Sequence, residues 1–335
     1  MKHTQSPSMH DVAKAAGVST QTVSRVANDS TSVRPETRQR VLFAMNKLGY
    51  RPNYAARALK RGRFRDIGVV VSNIETYGNT KILKSIARTA NDAGYAVTLL
   101  TMRRGTNRDI QASMERMKQL PVDGVIFILD EKISDFAPLL PSPDLPLVLY
   151  SEIPSESCPT IDTDQYGTAG AIVDYFITRG HRTVYHIAGP STSMAAISRT
   201  KGWKDSLLKA GREVPPVYLG DWESDSGYQA GLSLASKMDC TAIFAANDQM
   251  AYGAMQGLAA GGKTVPDDVS IIGFDDSLVG IVPRLNLTTM RPRFEDIGQE
   301  AFAMIKRQCE GEQLTPGEKI VIPSELIERQ SVRTL

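Results

Sequence analysis

Short apolar runs alternate with helix-prone stretches from residue 66 onward, and this alternation limits the possible folds more than any other feature. The runs at 67–71, 125–128 and 270–272 are almost continuously apolar. Strands of this kind are typical of parallel sheets that are covered by helices on both faces. Because the 270 residues from 66 to 335 exceed one typical domain, we expect two doubly wound lobes.

The pattern predicts eight strands and six helices in this region. The strands are at 67–71, 96–100, 125–128, 147–149, 184–188, 217–219, 242–244 and 270–272, and the helices are at 80–93, 108–120, 168–178, 203–210, 227–236 and 250–259.

The first 65 residues differ from the rest in charge. They hold 13 Lys and Arg against 3 Asp and Glu, whereas the whole chain has a net charge of +2, so the other 270 residues are acidic. A basic segment joined to an acidic body is typical of a protein that binds a polyanion with one end.

Three short helices are predicted within the basic segment, at 9–15, 20–27 and 35–48. Gly17 provides a permissive backbone for the turn between the first two, and Ser19 can cap the second. This arrangement predicts a helix-turn-helix, so the polyanion is expected to be duplex DNA. In the third helix we expect a buried side formed by Val41, Leu42, Met45 and Leu48.

The exposed face of the second helix has the side chains that a major groove requires. Gln21 can pair with adenine, Arg25 with guanine, and the Thr20 methyl can contact thymine. The alternative for any one of them is a solvated surface position, but the charge of the segment favours DNA. The candidate phosphate contacts, which set position rather than sequence, are Ser19, Thr22, Ser24, Asn28 and Thr37.

Residues 53–59 favour a helix of about two turns, below the ~12–15 residues at which an isolated helix is stable in water. With four cations between Arg57 and Arg63, this segment is a candidate to fold on DNA. Leu59 has no evident core partner. It could enter the minor groove as a wedge or pack on the neighbouring domain, and the sequence leaves both open.

Polar residues follow several of the apolar runs in the second half of the chain. Asp275 follows 271–274 and Asn247 follows 243–246, and Trp222 lies just beyond 218–220. Ligands of open parallel sheets bind at the carboxyl ends of strands. Carboxylates, amides and an aromatic ring suit a sugar. The alternatives are that Asp248 caps the helix after it and that either Trp lies in the core.

These segments together resemble the lactose/galactose repressor (LacI/GalR) family of transcriptional regulators over nearly the whole chain. In the head the resemblance lies in DVA at 11–13, AGVS at 16–19, TVSRV at 22–26, PETR at 35–38, LGYRPN at 48–53 and ARAL at 56–59. In the body it lies in SRTKGW at 198–203, GDW at 220–222, ANDQMA at 246–251 and GFDD at 273–276. The body is most similar to the lactose-responsive member of the family.

The resemblance implies an N-terminal all-α helix-turn-helix and an α/β periplasmic-binding-protein-like body of two doubly wound parallel-sheet lobes. The implied divisions are a DNA-binding domain at 1–50, a hinge helix and linker at 51–65, an N-terminal lobe of 66–162 with 292–322, and a C-terminal lobe of 163–291 with 323–335.

It also implies roles for individual residues. Thr20, Gln21 and Arg25 would read bases. The hinge and minor-groove contacts would be Asn53, Ala56, Arg57 and Leu59. The effector would be bound by Tyr77, Tyr166, Arg199, Trp222, Asn247, Asp275 and Phe294. Tyr166 departs from the resemblance, because the lactose-responsive member has an acid at this position.

Several other classes of protein are disfavoured. Residues 257–264 match the phosphate-loop pattern GxxxxGK[ST], but a predicted helix precedes them where a strand is required. We find no nucleophile–base pair, so we expect no enzymatic activity and no cofactor. The three cysteines and four histidines lack metal-ligand spacing. The polar N-terminus and the absence of a long apolar run predict a cytoplasmic protein that does not enter a membrane.

We therefore expect a ligand-responsive repressor that binds a palindromic operator as a homodimer, with a sugar effector in the cleft between the lobes. The dimer should include the helix at about 82–93, and the C-terminus shows no heptads of a tetramerisation tail. The alternatives are a nucleoside- or purine-responsive regulator of the same fold and, less favoured, a solute-binding protein.

Overall fold

The computed structural model describes residues 7–28, 30–51, 62–102, 106–132, 145–315 and 317–335. These residues form two compact units, one ending at Arg65 and one beginning at Asp66. The predicted hinge residues Asn53, Ala56, Arg57 and Leu59 lie outside the described residues.

The first unit is a small all-α domain of three helices, α1 Met9–Ala16, α2 Thr20–Ala27 and α3 Pro35–Leu48. Helix α1 begins with a capping box in which Ser8 and Asp11 each satisfy a backbone N–H of the other. It ends at Gly17, whose φ of 64° lies in the left-handed region that a residue with a side chain avoids. Ser19 then caps α2, with its side chain accepting from the Thr22 N–H.

The core of this domain is formed by one stripe from each helix, with Val12, Val23 and Val41 fully buried. The expected buried side of α3 was partly wrong. Leu42 and Leu48 are exposed, and Ala44 is buried with Val41 and Met45. Positions 41, 44 and 45 share one face at helical spacing, whereas Leu42 points about 100° away from Val41.

The second unit is built on two six-stranded sheets, which we call the N-terminal lobe and the C-terminal lobe. The strands are β1 Asp66–Val71, β2 Ala96–Thr101, β3 Gly124–Ile128, β4 Leu147–Tyr150, β5 Thr160–Asp162, β6 Tyr185–Ala188, β7 Tyr218–Leu219, β8 Ala242–Ala245, β9 Ser270–Phe274, β10 Thr288–Arg291, β11 Lys319–Val321 and β12 Glu325–Ile327. The first sheet has the order β11-β5-β4-β3-β1-β2, and the second has the order β12-β10-β9-β8-β6-β7. All pairings are parallel except that of β12 with β10.

Helices cover both faces of each sheet, which confirms the doubly wound fold class. The helices are α4 Tyr77–Asp92, α5 Asn107–Lys118, α6 Gln165–Thr178, α7 Met194–Lys209, α8 Ser224–Ala235, α9 Asp248–Ala260 and α10 Phe294–Cys309. In the N-terminal lobe α4 and α10 pack on one face and α5 on the other, and in the C-terminal lobe α8 and α9 lie opposite α6 and α7.

The chain passes between the two sheets three times. It leaves the first sheet after β5, returns after β10 to form α10 and β11, and leaves again to form β12. A helix that precedes Gly261 confirms that residues 257–264 lie at a helix C-terminus, so the phosphate-loop pattern lacks its structural context. Among the described residues, no helix has the length and apolar character needed to cross a membrane.

Candidate functional site

The carboxyl ends of strands from both sheets face a cleft with a cavity of about 600 Å³ between the lobes. This volume lies within the roughly 300–1,000 Å³ of small-molecule sites. Six of the seven sequence-predicted effector residues line it, namely Tyr77, Arg199, Trp222, Asn247, Asp275 and Phe294.

Arg199 is the central cation of the cavity, and the fold holds it in place from several sides. It lies in the middle of α7 with only 4% of its surface exposed. Its Nε donates to Gln165 Oε1 at 2.7 Å, its Nη1 donates to the carbonyl of Ala246, and its guanidinium lies 3.5 Å from the centroid of the Phe274 ring. Such fixed donors suit a ligand rich in oxygen atoms.

Asp275 lies next to Arg199, with 3.8 Å between Oδ1 and Nη2. Burial raises the pKa of the Asp275 carboxyl, and the Arg199 charge opposes that rise. Together the two side chains offer donors and acceptors side by side, which is the pattern that binds vicinal hydroxyls of a sugar.

Aromatic rings complete the wall of the cavity. Tyr77 and Phe294 meet edge to face with centroids 6.0 Å apart, and both line the cavity. Trp222 lies 5.8 Å from the Arg199 guanidinium and has a φ of 78°. Asn247 supports it, since its Nδ2 donates to the Trp222 carbonyl at 2.8 Å while its Oδ1 caps α9. Asn247 is thus the helix cap that the sequence suggested for Asp248. Of the two tryptophans, Trp203 belongs to the core and Trp222 to the cavity.

Tyr166 is the predicted effector residue that lies outside the cavity, and its role stays a prediction. Tyr166 does not line the cavity; it is 44% exposed and its hydroxyl donates to Asp205 at 3.0 Å. The Lys201 Nζ lies 4.6 Å from the centroid of the Tyr166 ring, on the same exposed surface. The neighbouring Gln165 lines the cavity instead, because consecutive residues of a helix point in directions about 100° apart.

Sequence reasoning missed most of the N-terminal-lobe side of the cavity. Asn73 follows β1 and Asp130 follows β3, and both line it. The strand-end rule that found Asp275 would also have found these two residues. The other lining residues that were not predicted include Glu75, Asn79, Glu131, Tyr150, Thr192, Ser193, Asp221, Glu223 and Gln249.

The charge of the lining is strongly negative. Among the described residues, six carboxyl side chains and one guanidinium line the cavity. The acids are Glu75, Asp130, Glu131, Asp221, Glu223 and Asp275. Such a lining attracts cations and repels anions, so the cavity disfavours phosphorylated and carboxylate ligands.

The two lobes also meet through their backbones at the cleft. Residues 130–132 run antiparallel to residues 192–194, with Glu131 and Ser193 as bridge partners. The Lys132 N–H donates to the Thr192 carbonyl at 2.8 Å, and the Met194 N–H donates to the Asp130 carbonyl at 2.7 Å.

In the small helical domain, α2 presents Thr20, Gln21 and Arg25 on its exposed side, opposite Val23 and Val26. Among the predicted phosphate contacts, Ser19 and Thr22 share a hydrogen bond of 2.9 Å between their hydroxyls, Asn28 Nδ2 donates to the Ser24 carbonyl at 2.7 Å, and Thr37 is half-buried on α3.

These features define a class of protein: a helix-turn-helix domain followed by a two-lobed body with a ligand cleft. A family model described as bacterial regulatory proteins, lacI family, matches residues 8–53, and a periplasmic binding protein-like domain matches residues 173–332.

Relatives that match over almost their full length support the same class of protein. The transcriptional regulator CelR of Thermobifida fusca is 31% identical, with 99% of this chain and 100% of CelR covered. Catabolite control protein A of Priestia megaterium is 30% identical, with 97% and 99% covered. A PurR repressor of Histophilus somni is 31% identical, with 97% and 98% covered. The chain belongs to the lacI family of bacterial regulatory proteins.

Two solved structures resemble it over almost their full length. A Lac repressor dimer bound to operator and the anti-inducer ONPF has a TM-score of 0.82 at 27% identity, with 98% of this chain and 100% of that chain covered. A CelR–cellobiose complex has a TM-score of 0.67 at 29% identity, with 97% and 99% covered.

Proposed function

We propose that this protein is a cytoplasmic repressor of carbohydrate-utilisation genes that binds an operator through α2. Its affinity for the operator falls or rises when an uncharged sugar occupies the cleft. The observation that carries the proposal is the pair of Arg199 and Asp275 in an otherwise acidic cavity walled by aromatic rings. Alternating donors and acceptors beside an aromatic face suit the hydroxyls and the apolar face of a sugar ring.

The charge of the cavity favours a neutral sugar over the other effectors. A nucleotide or a sugar phosphate would place its anion among six carboxyl side chains with one arginine to balance them. A neutral purine base is small and flat, so it would leave many of these carboxyl groups without a partner. The relative that was solved with cellobiose supports the same choice.

The homodimer is supported by the exposed edge of the first sheet. Strand β2 lies at the end of that sheet, and its Leu99 is 45% exposed. An exposed apolar edge strand is a surface that a second copy can cover. A dimer also doubles the number of base pairs read, which a single helix-turn-helix needs for genomic selection.

A DNA mobility shift with genomic fragments, combined with calorimetry against neutral, phosphorylated and nucleoside ligands, tests the proposal. We expect one class of fragment to bind with salt-dependent affinity, and a neutral sugar to bind and change that affinity. A protein that prefers no fragment over bulk competitor contradicts the regulator, and one that responds only to a purine or nucleoside contradicts the sugar effector.

A further inference from the structure

Asp248 is a fully buried carboxyl group that lies behind the effector cavity without lining it. It is the first residue of α9. Its Oδ2 accepts from the Ser277 N–H at 2.7 Å, and its Oδ1 lies 2.6 Å from Thr289 Oγ1. One side chain therefore ties the start of α9 to the turn after β9 and to β10.

The turn that it holds contains Asp275 and has an unusual backbone. Asp275 has a φ of 98° and Asp276 a φ of 52°, both in the region that residues with a Cβ disfavour. Such a conformation persists only where neighbouring contacts fix it. The Asp275 N–H donates to the Met290 carbonyl at 2.7 Å, which fixes one end of the turn. Asp248 fixes the other end by accepting from the Ser277 N–H.

The sheet leaves room for this carboxyl group. At Gly273 of β9, an added Cβ would lie 2.2 Å from Asp248 Oδ1. The position therefore has to be glycine for Asp248 to reach both of its partners. The glycine and the buried carboxyl group form one unit under the turn.

We propose that Asp248, in its uncharged form, is the positioning residue that holds the Asp275–Asp276 turn in the geometry that binds the effector, and that its ionisation weakens that binding. The proposal rests on the sugar-responsive function proposed above. Asp248 acts through Asp275, because Asp248 has no surface in the cavity.

The uncharged form fits the surrounding hydrogen bonds. A protonated Oδ1 can donate to Thr289 Oγ1, which then keeps its own proton for the Met290 carbonyl 3.4 Å away. The same hydroxyl oxygen accepts from the Asp276 N–H at 3.4 Å. When Asp248 is ionised, the Thr289 hydroxyl donates to Oδ1 instead, and the Ser277 N–H donates to Oδ2 in either form. Burial is therefore what favours the uncharged form.

The charged groups around Asp248 act in opposite directions. Asp275 and Asp276 face it from the turn and disfavour its ionised form, whereas Arg199 faces it from α7 and favours that form. Burial raises the pKa of Asp248 to about 8, the two aspartates add to the rise, and the hydrogen bonds from Thr289 and Ser277 reduce it. Ionisation would thus place a third negative charge beside Asp275, close to physiological pH.

The test compares D248N, D248A and T289V in the full-length protein. An amide side chain at 248 can accept from the Ser277 N–H and donate to Thr289 Oγ1, so D248N keeps the clamp and removes the titration. We measure affinity for cellobiose, lactose and glucose by calorimetry between pH 6 and pH 9, and hydrogen exchange of the Ser277 amide without sugar.

We expect the wild-type affinity for the best of these sugars to fall roughly fivefold between pH 7 and pH 9, and the D248N affinity to stay flat. At pH 7 D248A and T289V should bind about tenfold more weakly. In D248A the Ser277 amide should exchange faster, whereas in D248N it should stay protected.

S331A is the matched control. Ser331 is also fully buried, and its hydroxyl donates to the Ile271 carbonyl at 2.6 Å and accepts from the Thr288 N–H at 2.8 Å in the same sheet. It should lower the melting temperature but leave the sugar affinity and its pH profile unchanged.

Equal pH profiles in wild type and D248N overturn the proposal, as does wild-type affinity with a protected Ser277 amide in D248A. If D248A does not fold, D248N and T289V decide the matter. If none of the sugars binds the wild type, the sugar effector proposed above fails, and the exchange of the Ser277 amide alone decides whether Asp248 clamps the turn.

Discussion

Glu131 of the N-terminal lobe and Ser193 of the C-terminal lobe pair as an antiparallel β-bridge between the lobes. Two backbone hydrogen bonds flank the pair, and both residues line the cavity. A rotation of one lobe against the other that separates these segments has to break those bonds. Contacts at this bridge are therefore a route by which an effector can bias the angle between the lobes.

The bridge can be locked by a disulfide. Antiparallel bridge partners have Cα atoms about 4.5–5.5 Å apart, within the range that a disulfide spans. We expect oxidised E131C/S193C to bind operator with an affinity that no longer changes when sugar is added, because the lobes cannot rotate. A mobility shift with and without sugar, before and after reduction, measures this.

The two single-cysteine variants control for the native thiols, of which Cys158 and Cys240 are buried and Cys309 is half-buried. Each should respond to sugar under oxidising conditions as the wild type does. A cross-linked protein that still changes its operator affinity on adding sugar would show that the lobes need not move at this bridge.

The contact between Arg199 and Asp275 predicts that the effector needs the Asp275 carboxyl group for tight binding. D275N keeps the shape of the side chain but removes the charge that balances Arg199, so we expect sugar affinity to fall about 10–100-fold. Operator affinity without sugar should be unchanged. Calorimetry and a mobility shift on the same sample separate the two effects.

Y166F provides the matched control for this pair. Tyr166 makes its hydrogen bond to Asp205 on the outer surface of the lobe, so removing its hydroxyl should leave sugar affinity unchanged. Equal losses in D275N and Y166F would contradict the assignment of the cavity and would restore Tyr166 as an effector contact.

Much of this fold was predictable because burial dictates its pattern. Strands such as β3 and β9 are fully buried, so their apolar runs stand out in the sequence. Strand β7 is two residues long, and β11 and β12 are three residues each and partly exposed, so they have little such pattern. The apolar run at 217–219 predicted β7, whereas β11 and β12 were not predicted. The buried strands β5 and β10 were not predicted either, because Thr, Asp and Arg interrupt their apolar runs.

The predicted helix bounds were wrong where polar residues of a helix lie inside the protein. The helix α7 begins at Met194, well before the predicted start at Trp203, because its first half carries Arg199 and faces the cleft rather than an apolar core. The amphipathic helix α10 was not predicted at all, although it packs against α4 and carries Phe294. Asn73 and Asp130 of the N-terminal lobe each lie two residues beyond the end of their strand, so the apolar runs of β1 and β3 do not lead directly into them as the run of β9 leads into Asp275.

The exposed side of α2 predicts a base-specific contact at Arg25. R25A should reduce discrimination at one base pair by about 1–3 kcal/mol, whereas R25K should keep the non-specific charge but lose the paired hydrogen bonds to guanine. A mobility shift with operator variants, repeated over a salt series, measures both. If R25A weakens all sequences equally and R25K restores them, Arg25 contacts phosphate instead of a base.

His186 predicts how stability changes in acid. The ring is fully buried, with centroids 4.6 Å from Phe244 and 5.1 Å from Trp203. Its Nδ1 lies 3.0 Å from the Phe244 carbonyl, which can only accept, so Nδ1 donates and Nε2 accepts from the Thr200 hydroxyl. Both partners therefore fit the neutral ring. Burial lowers the pKa of His186 from 6.5 to about 4.

The lowered pKa of His186 decides whether the free energy of unfolding rises or falls in acid. Between pH 6.5 and pH 4 the unfolded chain binds a proton at this residue and the folded chain does not, so the free energy of unfolding falls as the pH falls. His186 should contribute a loss of up to about 3 kcal/mol over that range.

H186Q cannot titrate, so its melting temperature should fall less between pH 7 and pH 4.5. His181, whose pKa is also lowered by burial, keeps part of the slope in both proteins. Parallel dependence of the melting temperature on pH in wild type and H186Q over this range would show that folding does not lower the pKa of His186.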